Sequence, residues 1–174
     1  MKNWKRIWVF LAAGIILFAA CQSKKEKLTV QIAEAEKQLA ESYHAEVVNH
    51  LVALYQEYAT KYAEDSLAAE YLFRAADGNM RLQKGEAALA NLDMIINNYP
   101  NHRRVPESYF VKGLVYEDVL FDVEAAKTAY YEFVALFPSH ELALTASIAI
   151  SYLGKSPEEI VASFHEDATQ ISEE

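Results

Sequence analysis

The chain has 174 residues, 52% of them apolar and 24% charged, with 16 Lys and Arg against 25 Asp and Glu, one cysteine, five glycines and four prolines. That much apolar side chain excludes disorder as the main state, and a formal charge of -9 argues against nucleic acid, whose phosphates demand clustered Lys and Arg. A single cysteine leaves neither an internal disulfide nor a cysteine-rich metal site, and so few Gly and Pro favour helices over a many-turned all-β fold.

In chain order, Lys2, Lys5 and Arg6 precede an apolar run from Ile7 to Phe18, and Ala19-Ala20 stand immediately before Cys21. This is the layout of a secretory signal peptide over residues 1–20. The uncharged stretch from Ile7 to Cys21 is 15 residues, short of the roughly 20 that a membrane-crossing helix needs. The ending Leu17-Phe18-Ala19-Ala20-Cys21 resembles the lipobox of bacterial lipoproteins, although Phe18 stands where that motif has an aliphatic residue. The resemblance implies that Cys21 is acylated with palmitate-type chains and becomes the mature N-terminus, tethered by the polar residues 21–27. Removing residues 1–20 takes away three basic residues, no acidic one and both tryptophans, leaving 154 residues with a charge of -12.

From Leu28 the apolar residues Leu28, Ile32, Ala35, Leu39, Tyr43, Val47, Leu51, Leu54, Tyr58 and Tyr62 follow one another at gaps of three or four. That period predicts amphipathic helix over residues 28–64, either one long helix or two with a bend near Ser42 to His44.

Beyond this the chain repeats. Tyr55 to Phe73 aligns with Leu92 to Phe110 and with Tyr130 to Ile148, and the aromatic anchors Tyr62, Tyr99 and Phe137 lie 37 and 38 residues apart, each followed by Ala63, Pro100 or Pro138. A fixed period of this size signals stacked supersecondary units. Helix boundaries follow from local chemistry. Pro106 suits a first helical turn, Asp122 a cap, and Ser156-Pro157-Glu158-Glu159 a capping box. The predicted helices pair as Ser66–Leu82 with Glu86–Tyr99, Pro106–Leu120 with Val123–Phe137, and Glu141–Tyr152 with Pro157–Ile171. The fold class is all-α: a solenoid of helical hairpins over 65–174, preceded by the amphipathic segment.

Tyr109, Gly113, Tyr116, Ala126, Tyr130 and Pro138, with Tyr71, Ala75, Ala88, Leu92 and Pro100 in the preceding unit, resemble the packing positions of tetratricopeptide repeats. They resemble specifically the longer variety found in bacterial envelope lipoproteins, including the repeat domains of the outer-membrane assembly lipoprotein of the Bam complex and of the Tol-Pal-associated coordinator. The resemblance implies a lipid-anchored, non-enzymatic adaptor or scaffold for a protein or peptide partner, facing the periplasm from the outer membrane and acting in outer-membrane assembly or envelope coordination. It implies too that the first helix of each hairpin lines a partner groove, which makes Arg74, Lys112 and Glu117 candidate contacts. An accessory domain for a cell-wall glycan or small molecule is the alternative.

Signatures of chemistry are sparse. There is no HExxH, GxSxG or phosphate-cradling glycine loop, and no cofactor or metal site is expected. His44 and His50, six residues apart, do not share a helical face. The compact basic patch His102-Arg103-Arg104 is a candidate anion site against the simpler reading of a solvated inter-repeat loop. The tyrosines, eleven in the chain, are expected mainly in the core, with a subset available to anchor a peptide.

Overall fold

The structure is a computed structural model that describes residues 24–162. The leader, Cys21 and residues 163–174, with the expected helix end at Ile171, lie outside the described residues. Eight helices run through these residues: α1 (24–41), α2 (Ala45–Lys61), α3 (Leu67–Arg81), α4 (Gly85–Asn98), α5 (Arg104–Asp118), α6 (Val123–Leu136), α7 (Ala143–Tyr152) and α8, which opens at 157. No strand occurs among the described residues. The chain divides into two compact units, one ending at Leu82 and the other beginning at Gln83.

In the first unit the amphipathic segment is two helices. The chain breaks at 42–44, where Ser42 Oγ and His44 Nε2 lie 2.9 Å apart and His44 adopts an extended backbone (φ -134°, ψ 137°) as the residue before α2. A short polar side chain bonding locally competes with the helical ladder. The break lets α1 fold back, so that Leu28, Ile32 and Ala35 bury against Val48, Leu51, Leu54, Tyr55 and Tyr58 of α2 and Ala75 of α3. Each large side chain so buried contributes about 1.5–3 kcal/mol, which outweighs the few hydrogen bonds given up at the bend.

The α2–α3 contact depends on a small residue. Gly78 lies so close to α2 that a Cβ there would sit 2.5 Å from Val52 Cγ2. In the second unit Gly113 plays the same part against Tyr130, whose ring fills the place a side chain would take. Tyr130 is buried with Phe133, Phe110, Ala126 and Ala146, and the rings of Tyr130, Phe110, Phe133 and Phe137 touch in that order at centroid separations of 5.5 to 5.9 Å. Small residues at the crossings with aromatics beside them let one hairpin complete the core of the next.

The joints between hairpins repeat in atomic detail. Tyr62, Tyr99 and Phe137 each end a helix with nearly the same backbone, φ -129°, -130° and -131° with ψ 47°, 52° and 56°. Three residues later Asp65, His102 and His140 donate their N–H to those carbonyls at 2.9, 2.8 and 3.1 Å. Their side chains accept in turn the N–H two residues on: Leu67 to Asp65 at 2.9 Å, Arg104 to His102 at 3.2 Å and Leu142 to His140 at 3.2 Å. At the other ends of the hairpins, left-handed residues turn the chain: Gln83 (φ 56°), Phe121 (φ 54°) and Gly154 (φ 79°).

From α3 to α7 the helix limits fall within two residues of those read from the sequence, whereas α1 begins four residues earlier than expected and α2 ends at Lys61 rather than 64. Asp122 caps α6 by accepting from Ala125 N–H at 3.0 Å, and Ser156 and Glu159 exchange both bonds of the capping box at the start of α8. The helix α5 starts at Arg104, so Pro106 sits inside its first turn, where its lack of an N–H has no consequence.

Candidate functional site

The first unit gathers its polar groups along the face where α1 meets α3. Tyr55 Oη donates to Glu36 at 2.7 Å, and Arg74 pairs with the same carboxylate. Nearer the start of α1, Lys25 pairs with Asp65, which accepts also from Tyr58 Oη at 3.0 Å and from the Leu67 N–H. Between these two clusters the rings of Tyr55, Tyr71, Tyr58 and Tyr62 follow one another. Tyr55 stacks on Tyr71 at 5.3 Å, Tyr71 meets Tyr58 edge-on at 4.6 Å, and Tyr58 lies 5.1 Å from Tyr62. Cations close both ends, with Arg74 5.8 Å from the Tyr71 centroid and Lys25 about 6 Å from Tyr58 and Tyr62.

These contacts set the protonation states. Burial, the Glu36 carboxylate it donates to and that carboxylate's charge push the Tyr55 hydroxyl well above its ordinary value. Burial and Asp65 do the same for Tyr58, as burial and the Glu36 charge do for Tyr71. For Asp65, burial works against ionisation, but the Lys25 ammonium, the Leu67 N–H and the Tyr58 hydroxyl outweigh it and hold the carboxyl below the usual range.

Beside the Glu36–Arg74 pair lies a cavity of about 230 Å³. Its apolar floor comes from Leu39 of α1, Leu51 and Val52 of α2 and the bare backbone of Gly78, and Arg74 and Arg81 stand at its rim. Arg81 Nε donates to Asp77 at 2.8 Å, with both side chains more than half exposed. Among the described residues no group of three His, Cys, Asp or Glu converges as metal ligands would.

The sequence-derived candidates do not come together as one site. Arg74 faces α1 and is paired with Glu36; Lys112 donates to Asp93 of α4 at 2.7 Å; Glu117 accepts from Tyr130 Oη at 2.8 Å. All three sit on the first helices of their hairpins, and all three hold neighbouring helices in place. In the basic patch, His102 accepts a backbone N–H through Nδ1 and Arg104 pairs with Glu107 at 2.8 Å, which gives these two side chains work within the turn. Arg103 is exposed at the residue before α5. His44 and His50 are both exposed on the first hairpin. The tyrosine chain and its two carboxylate anchors are the part that the sequence reading missed. One signal was available: Asp65, His102 and His140 recur at the same spacing as the aromatic anchors, three residues behind each.

Residues 70–102 match the family model described as tetratricopeptide repeat. The matched stretch is one repeat in length, about 34 residues, and runs through most of α3, all of α4 and the joint at Tyr99 to His102. The chain thus contains a tetratricopeptide-type helical hairpin. The joint within the match recurs at Tyr62 to Asp65 and Phe137 to His140. No curated protein matches the chain.

Proposed function

We propose that this chain is a lipid-anchored, non-enzymatic adaptor of the bacterial envelope whose helical hairpins present a surface to a protein or peptide partner. The observation that carries the adaptor reading is the tetratricopeptide match at 70–102, a repeat class that serves protein–protein contact, together with the same joint geometry in the flanking hairpins. Attachment rests on the sequence: the leader of residues 1–20, the Ala19-Ala20-Cys21 ending and the polar tether behind it. Acyl chains on Cys21 hold the protein to the outer membrane on its periplasmic side, since stable anchoring takes more than one chain. Outer-membrane assembly and coordination of envelope machinery are the tasks that fit a tethered adaptor of this kind.

Two measurements test the reading. Replacing Cys21 by Ser should leave the chain unacylated and the leader uncleaved, so that the protein runs larger and moves from the outer-membrane to the inner-membrane fraction; unchanged fractionation and size would rule out the anchor. Crosslinking with mass spectrometry on intact cells should yield a defined membrane protein joined to residues of α3 or α5, whereas a thermal shift with wall fragments and no protein adduct would favour a ligand-binding domain.

A further inference from the structure

Phe121 breaks two rules at once. It is 76% exposed, the highest among the large apolar side chains described, and its backbone is left-handed at φ 54°. The same place in the neighbouring hairpins shows that the turn itself demands this backbone, and Gln83 and Gly154 supply it there without an exposed ring. A bulky residue in that region is an outlier, and an exposed aromatic is the kind of side chain that anchors contacts between proteins. Asp118 and Asp122, both exposed, flank it.

The cavity of the first unit has the complementary form. Its 230 Å³ exceeds the roughly 150 Å³ that holds a benzene ring in an apolar protein cavity, and Leu39, Leu51, Val52 and Gly78 give it an apolar floor. At its rim Arg81 holds Asp77 through Nε alone in an exposed pair four residues apart, a weak arrangement that an incoming carboxylate can displace.

We propose that the chain associates with copies of itself head to tail: Phe121 of one molecule enters the cavity bounded by Leu39, Leu51, Val52 and Gly78 of the next, and Asp118 meets Arg81. Knob and socket are different patches, so a row leaves one knob unused at one end and one socket at the other, and it stays open unless its rotation closes a ring. Such a row multiplies the partner-binding surface along a membrane without any new partner. The proposal stands apart from the identity of the partner and from the lipid anchor.

Sedimentation equilibrium of the full chain in a non-ionic detergent tests it. The average mass should rise with protein concentration for the native chain. Phe121→Asn should weaken self-association at least tenfold while raising thermal stability, which separates loss of the knob from loss of the fold. Arg81→Asp should weaken it similarly, and adding Asp118→Arg to that variant should restore it. An equimolar mixture of Phe121→Asn and Arg81→Asp chains should stop at dimers, because only one knob and one socket remain between them. A mass that does not change with concentration, or a Phe121→Asn chain that still assembles as the native one does, would overturn the proposal.

Discussion

Single residues carry much of this architecture, and their roles can be separated by substitution. A Cβ on Gly113 would enter the ring of Tyr130, which is fully buried and tied to Glu117. Gly113→Ala is expected to destabilise by about 1–3 kcal/mol, the usual cost of overpacking a filled core, as read by urea denaturation. At Phe121 the opposite holds. Asn tolerates the left-handed backbone where Phe does not, so Phe121→Asn should stabilise by about 0.5–1 kcal/mol and raise Tm by about 1–3 °C. His102 tests the reading of the basic patch. Asp65 does the same job in the joint before it, so His102→Asp should leave stability nearly unchanged, whereas His102→Leu, with no acceptor for the Arg104 N–H, should lose about 1 kcal/mol. A patch built for anions would respond the other way, tolerating Leu in the fold and losing ligand with Asp. The aromatic anchors were legible in the sequence because Tyr and Phe are alike. The acceptor that follows them shares their spacing, but a carboxylate in one joint and an imidazole in the others do the same work without resembling one another, so spacing was its single signal.

At the scale of helices, the limits were legible where a cap or a proline marks them, as at Asp122 and Ser156. The break between α1 and α2 has no Gly or Pro to announce it. The sequence left a bend near Ser42 to His44 as one of two readings, and the packing of Leu28, Ile32 and Ala35 against α2 decides for it; truncation of Ile32, 1% exposed, to Ala should cost about 2–5 kcal/mol. The ties between α1 and α3 were equally hidden, since Glu36 and Arg74 stand 38 residues apart and no periodicity links a carboxylate on one helix to a guanidinium on another. These ties give the first unit a definite response to pH. The carboxyl of Asp65 is depressed below its ordinary 3.8, so its contribution is complete above about pH 4 and is lost as pH falls through the depressed value. Tyr55, Tyr58 and Tyr71 are raised above their ordinary 10.0, so their contribution is complete below that pH and disappears as pH rises through the raised values. Titration followed at 295 nm should show these three tyrosines resisting ionisation beyond pH 10 and then ionising together as the unit opens. Smooth ionisation near pH 10 of all the tyrosines would mean that the ring chain does not form.

For the whole molecule, the repeat was readable because its period survives in the anchors, the small crossing residues and the joints. Its use was not, because Arg74, Lys112 and Glu117, the residues that position alone nominates for a groove, hold the protein's own helices together. A partner must therefore displace these pairs or bind between them, and single charge removals at the three positions are expected to lower stability and partner capture together. The formal charge of -9 favours a basic surface on that partner. If the first helices of the hairpins meet another protein, a photo-reactive phenylalanine analogue at Phe73 of α3 or Tyr116 of α5 will capture it in the living cell. One discrete adduct is expected, the same from both positions and distinct from a second copy of the chain, with none from Asn97 on the exposed side of α4. No adduct from Phe73 and Tyr116, or an equal one from Asn97, would contradict that contact.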